Sequence, residues 1–238
     1  MQKSVEVTKT AQYRALGLST FAFTICFAVW TIFSIIGINI KQDLGLNDTQ
    51  FGLLVATPVL TGSISRIFLG VWTEQFGGRI MFPLQMLVTA VCVGLLSSVQ
   101  TYEVFLIAAL GLGLAGGSFI VGVSYTSRWF DREHQGTALG IFGAGNVGAA
   151  VTNFAAPFLV VALGWETTAQ IYAIVLAVTA VLFFIFARTD PVQEERRRTG
   201  KRPVSAGAQL EPLKDIQVWR FATYYFFVFG AFIALANF

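Results

Sequence analysis

Seven times along this chain the residues turn apolar for about 20 positions, the number an α-helix needs to cross a bilayer's hydrocarbon core. The spans fall near 16–38, 50–73, 80–98, 104–127, 137–162, 168–187 and 217–238. A segment surrounded by lipid must satisfy its own backbone hydrogen bonds, so only helices and closed barrels qualify. Barrel strands alternate lipid-facing and lumen-facing residues, and no such alternation appears. The expected fold class is all-α, a polytopic membrane helix bundle. Charged residues make up only 12% of the chain, about half the share of an average soluble domain. The first span is too long for a signal-peptide core and has no small-residue cleavage site, so it reads as a helix of the mature protein.

The charges that remain sit between the spans and orient them. Of 16 Lys and Arg, Arg66 is inside a span and Lys41 follows the first one. The other 14 lie in the N-terminal tail (Lys3, Lys9, Arg14), after the even-numbered spans, or at the start of the seventh (Arg220). Cytoplasmic loops carry the excess of Lys and Arg. The N-terminus and the 188–215 segment are therefore expected in the cytoplasm, with the bundle in the cytoplasmic membrane and the lipid bilayer as its partner. The net charge of +3 is a topology signal spread over separate loops, not a nucleic-acid footprint.

Residues 188–215 are long and polar, with Arg196-Arg197-Arg198, Pro203 and Pro212. They read as a solvated cytoplasmic linker between a six-helix bundle (1–187) and the first helix of a second bundle (216–238). Because the chain stops at Phe238 within an apolar span, a missing C-terminal half is expected. Cys26 and Cys92 both fall inside spans and read as inert apolar fillers. No metal-ligand spacing is present, no cofactor is implied, and no nucleophile–base pair or phosphate loop points to an enzyme.

Arg66 is the one ionisable residue well inside any span. A charge at that depth costs a few kcal/mol at least, so it usually faces a cavity and marks a pathway. A buried cation without an acid beside it suggests an anionic ligand. The alternative is a structural Arg that snorkels toward the nearer interface, about 10 Å away along the helix. Gly62, Ser63 and Gly70 around it are small, which favours a cavity wall.

Two further segments carry pattern. After the second span the chain reads Gly70-Val71-Trp72-Thr73-Glu74-Gln75-Phe76-Gly77-Gly78-Arg79. Gly77 and Gly78 suit a tight turn with positive φ, Gly70 suits close helix contact, and Glu74 and Arg79 can pair with neighbouring helix ends to latch one conformation. In the fifth span, Gly140, Ala144, Gly148 and Thr152 recur every four residues, a small-residue face for tight packing. Asn146 and Asn153 are seven apart on a different face.

These segments carry a resemblance. The loop is similar to the G-x-x-x-[D/E]-[R/K]-x-G loop of the major facilitator superfamily, with Gln75 in place of the usual base. The run Gly143-Ala144-Gly145-Asn146-Val147-Gly148 resembles the G-x-G-N-x-G signature of the nitrate/nitrite porter family within it. Arg66 in Ser63-Ile64-Ser65-Arg66 matches that family's anion-binding arginine. Phe27 in Phe27-Ala28-Val29-Trp30 and Phe119 in Ala115-Gly116-Gly117-Ser118-Phe119 match its aromatic positions.

The resemblance implies a major facilitator-type fold and alternating-access transport of nitrate or nitrite. In that reading Arg66 binds the anion, Phe27 and Phe119 flank it, Asn146 adds a hydrogen bond, and Gly143, Gly145 and Gly148 form the signature. A guanidinium offers a planar, bidentate donor pair to a planar anion. The spans carry no Asp, Glu or His to relay a proton, which favours nitrate/nitrite exchange; protons stay a candidate coupling ion because the resemblance extends to proton-linked members of the family and the missing half has room for a relay. Formate or oxalate would suit Arg66 as well, and a non-transporting sensor on the same fold is the alternative from another class.

Overall fold

The computed structural model describes residues 8–98 and 101–237. Lys3, Phe238 and part of the 99–103 connection lie outside the described residues. Every regular element among those described is helical. Among the described residues, six helical stretches are long and apolar enough to cross a membrane, and each covers one of the first six expected spans to within a few residues.

The first span is two helices, α1 (Lys9–Trp30) and α2 (Phe33–Asp43). Thr8 caps α1 by accepting from the Ala11 N–H at 3.4 Å. The break between α1 and α2 follows from Thr31, whose hydroxyl donates back to the Phe27 carbonyl at 3.1 Å, a bond that bends helices. The second span, α3 (Asp48–Phe76), starts in a capping box: Asn47 Oδ1 accepts from the Gln50 N–H and Gln50 Oε1 accepts from the Asn47 N–H. It contains Pro58. The third span is α4 (Gly78–Leu96).

The fourth and fifth spans share a device. Each is two α-helices joined by one 3₁₀ turn: α5 (Tyr102–Gly113), Leu114–Gly117, α6 (Ser118–Ser127), then α7 (Gln135–Gly143), Ala144–Val147, α8 (Gly148–Leu163). The sixth span is α9 (Trp165–Phe186). Beyond it come α10 (Pro191–Thr199), α11 (Ala206–Gln209) and α12 (Ile216–Asn237), the last covering the seventh expected span.

The first span runs through the middle. Its most apolar stretch is 67% buried, against 28% for the second span and 22% for the fifth. The second and fifth spans thus keep open faces that the six-helix body leaves uncovered. Packing is by pairs: α4 lies along α9, α3 along α5 and α6, and α1 against α6, α8 and α9. Phe23, Phe82, Phe142, Phe183 and Tyr125 are fully buried between them.

The expected small-residue face of the fifth span is displaced. Gly140 and Ala144 are exposed, and a methyl group on Gly140 would meet nothing within 4 Å. The contact face is Gly145, Gly148 and Thr152. A Cβ on Gly145 would stand 2.5 Å from the Phe23 ring, and one on Gly148 would overlap the Thr24 carbonyl. Thr152 donates to the Ala28 carbonyl at 2.7 Å. The 3₁₀ turn is the reason: at three residues per turn it stacks positions i and i+3, so a stripe counted in fours leaves the interface there. In lipid, such small-residue contacts stand in for a hydrophobic drive between helices.

The linker is also more structured than expected. Asp190 is 1% exposed and caps α10, its Oδ1 accepting from the Gln193 N–H at 3.0 Å. Gln193 Nε2 and Arg196 Nη1 each donate to the Glu74 carbonyl at 2.9 Å. So 188–215 opens with a helix docked on the end of α3, and only Arg197 and Arg198 of the charge run are exposed.

Candidate anion site

Arg66 lies on α3, half-buried, facing the fourth span. Its Nε donates to the Gly116 carbonyl at 3.3 Å. Gly116 belongs to the 3₁₀ turn, where the changed hydrogen-bond step brings carbonyls within reach of side chains. Leu114 in the same turn accepts from Gln85 Nε2 at 2.6 Å. On its other side the Arg66 guanidinium stands 5.1 Å from the centroid of the Phe229 ring of α12. The Tyr225 hydroxyl, one turn earlier on α12, lies beside the Arg66 guanidinium. The Tyr225 and Phe229 rings stack at 5.1 Å and 12°. Among the described residues no carboxylate comes within ion-pair distance of Arg66.

The small residues near Arg66 do more packing than cavity lining. Gly62 is buried, and a Cβ there would be 3.0 Å from the Gly113 carbonyl and 3.4 Å from Trp30 Nε1. A Cβ on Gly70 would stand in ordinary contact with Ile120 at 3.5 Å. Only Ser63 is exposed. The glycines let α3 and the fourth span approach closely enough for Arg66 to reach a backbone carbonyl.

Phe27 and Phe119 enter one aromatic cluster. Both rings pack on Phe23 with centroids 5.6 Å away, Phe27 also meets Trp30 at 5.4 Å, and Phe119 meets Phe142 at 6.0 Å. Trp30 Nε1 donates to the Pro58 carbonyl at 3.2 Å and ties the cluster to α3. Phe23, its centre, was not singled out from the sequence; with 23 Phe in the chain, no local signal marks it.

Asn146 lies in the 3₁₀ turn of the fifth span. Its Nδ2 donates to the Gly143 carbonyl at 2.8 Å, and its Oδ1 is buried with no partner. An orphaned buried acceptor is uncommon. Rotating the carboxamide by half a turn would present the NH₂ group there instead, at the cost of the Gly143 hydrogen bond, whose carbonyl Oδ1 would then face. Of the signature glycines, Gly145 and Gly148 pack on the first span, while Gly143 has open space where a side chain would go.

The loop residues divide as well. Gly77, with φ +85°, ends α3 and starts α4. Gly78 is not in that region; it is a close-approach position, where a Cβ would stand 2.5 Å from Tyr125 Cβ. Glu74 pairs with both Arg128 and Arg196, and Arg128 Nη1 also reaches Asp190 Oδ2 at 3.4 Å. Arg79 does not join this latch. Its guanidinium lies 5.6 Å from the Phe184 centroid, and its Nε has no hydrogen-bond partner. The residues that sequence reasoning missed, Tyr225, Phe229, Asp190 and Gln193, lie on elements distant in sequence. An i,i+4 aromatic pair was visible in the seventh span, but among Tyr224-Tyr225-Phe226-Phe227 it carried no discrimination.

The family model for the Major Facilitator Superfamily matches residues 18–238. Among curated proteins, the chain is 39% identical to a "Probable nitrate/nitrite antiporter NarK1" of Thermus thermophilus, over 98% of this chain and 54% of that protein. It is 34% identical to a "Nitrite extrusion protein" of Bacillus subtilis (94% and 55% covered). It is 32% identical to a "Probable nitrate transporter NarT" of Staphylococcus epidermidis (94% and 56%). The chain spans about half the length of the curated relatives it matches.

Proposed function

The chain belongs to the Major Facilitator Superfamily, and on that premise we propose that it supplies one half of a secondary transporter for nitrate or nitrite. It is a multi-pass membrane protein. The observation that carries the reading is Arg66: a half-buried guanidinium with no carboxylate partner among the described residues, in a bundle that pairs Arg128 and Arg196 with acids. The relatives bearing nitrate and nitrite names support the anion's identity.

In this mechanism the anion displaces the carbonyl and phenol contacts of Arg66 and takes the guanidinium's bidentate donors. Phe229 covers one face of the site, and the Phe27–Phe23–Phe119 cluster backs the first span. Asn146 turns its carboxamide to donate. The uncovered faces of the second and fifth spans meet a second half, and the two halves rock about the anion. An empty site would leave a bare cation as the halves close, so closure is favoured with anion bound. That favours exchange of nitrate for nitrite, and one relative is named an antiporter. The basic end faces the cytoplasm, in the cytoplasmic membrane, by the distribution of Lys and Arg.

The test is counterflow of labelled nitrate in proteoliposomes holding the full-length protein, with nitrite, formate and oxalate as competitors. Nitrite should compete and the carboxylates should not. Arg66→Lys should cut exchange roughly tenfold or more, the scale of one charge-assisted hydrogen bond, because an ammonium lacks the planar fork. Competition by formate or oxalate but not nitrite would overturn the substrate. Unchanged exchange in Arg66→Lys would return Arg66 to a structural role.

A further inference from the structure

A cleft of about 610 Å³ opens at the basic end of the bundle, between the start of α1, the start of α4 and the junction of α9 with α10. Three arginines from three elements line it: Arg14, Arg79 and Arg188. Arg14 and Arg188 are exposed and Arg79 is half-buried. One carboxylate, Glu194 on α10, also lines the cleft. None of the three guanidinium groups forms an ion pair with it or with any other carboxylate among the described residues. Neighbouring Arg128 and Arg196 already engage Glu74 and Asp190, so those acids are not free to neutralise the cleft. Three like charges converging on one concavity repel one another, and an anion seated between them removes that cost.

The walls identify the kind of anion. Ile185 and Phe186 line the same cleft and are largely exposed, continuing the apolar surface of α9. A ligand with an anionic head and a hydrocarbon body fits both parts. The cleft also lies where the spans end, at the depth of the headgroup layer, and basic pockets between helices at that depth take anionic headgroups. We propose that this cleft binds the phosphate of an anionic phospholipid through Arg14, Arg79 and Arg188, with the acyl chains along Ile185 and Phe186. Guanidinium forks match phosphate oxygens bidentately. The bound lipid would tie α1, α4 and the α9–α10 junction together at the end where α10 docks.

Native mass spectrometry of the purified chain, with phosphatidylglycerol, phosphatidylcholine or inorganic phosphate added, tests this. Phosphatidylglycerol should be retained roughly tenfold better than phosphatidylcholine, in line with the attraction expected of three basic groups. Replacing Arg14, Arg79 and Arg188 together by Gln should bring retention down to the phosphatidylcholine level. Arg188→Gln alone, at an exposed position that leaves the bundle packing intact, should lose several-fold. Arg197→Gln with Arg198→Gln, exposed and outside the cleft, should change nothing. Equal retention of both lipids, or equal losses in the cleft variants and the Arg197/Arg198 pair, would overturn the proposal. Displacement of phosphatidylglycerol by millimolar inorganic phosphate would overturn the lipid as the occupant in favour of a free anion.

Discussion

Arg66 and Arg128 belong to adjacent, closely packed parts of the bundle, yet their surroundings are opposite. Arg128, whose side chain is 10% exposed, has a carboxylate on either side: Glu74, shared with Arg196, and Asp190, which also caps α10. Its charge is balanced by residues that a distant segment delivers. Arg66 has a carbonyl, a phenol and the face of a ring. All are weak acceptors or π-faces, and none carries a charge. The contrast separates a cation that holds elements together from one that has no carboxylate partner among the described residues, the one to which the proposed function gives the anion. Helix ends can recruit acids from linkers, whereas mid-span positions have no acid within reach.

The largest expected effect separates the two arginines by readout. Arg128→Gln leaves half-buried Glu74 and fully buried Asp190 without their shared partner and should cost about 3 kcal/mol of stability, the scale for breaking a buried pair. Arg66→Gln removes the Gly116 hydrogen bond, the Tyr225 contact and one ring contact, all to uncharged groups, and should cost only about 1–2 kcal/mol, while abolishing anion exchange. Thermal unfolding in detergent beside counterflow measures both. Equal stability losses would erase the distinction.

A second comparison sets two signature glycines against each other. Gly148→Ala puts a methyl group into the Thr24 carbonyl of the first span and should cost about 1–3 kcal/mol, as overpacking does. Gly143→Ala meets nothing within 4 Å and should be neutral or slightly stabilising. Loss of a monodisperse peak in gel filtration for Gly148→Ala alone is the expected pattern. The same loss in Gly143→Ala would mean that the open side of the fifth span is packed in the whole protein.

The smallest effect concerns an exposed ion pair at the basic end. The His134 side chain, 2.7 Å from the carboxylate, and then its backbone N–H, hold Asp131 below the ordinary carboxylate range. A lowered folded pKa adds stability above the unfolded value, near 3.8, and that contribution is lost as pH falls through the folded one. Between about pH 5 and pH 3 the thermal midpoint should fall slightly more in the unaltered chain than in Asp131→Asn. A larger fall in the variant would reverse the sign.

Much of the architecture was legible in the chain because lipid imposes a local requirement. A helix that crosses a bilayer must be apolar along its whole length, so the six crossing helices appear in order, with ends a few residues from where composition places them. Arg66 stood out for the same reason. What stayed hidden depended on pairing between distant segments. The 3₁₀ turns moved the packing face from Gly140 and Ala144 to Gly145. Asp190 and Gln193 looked like linker until α10 docked on Glu74. Arg79 looked like a latch residue and stacks on Phe184 instead.

The sequence by itself determined that this is a helical membrane bundle, which end of it is basic, and that one charge stands alone at depth. Those properties follow from the cost of placing polar groups in hydrocarbon, which every residue meets separately. Only the tertiary structure decided which arginines are neutralised. Ion pairing depends on distances of a few ångströms between residues that lie 54 positions apart for Glu74 and Arg128 and 122 for Glu74 and Arg196. Local pattern carries no information about distances of that kind.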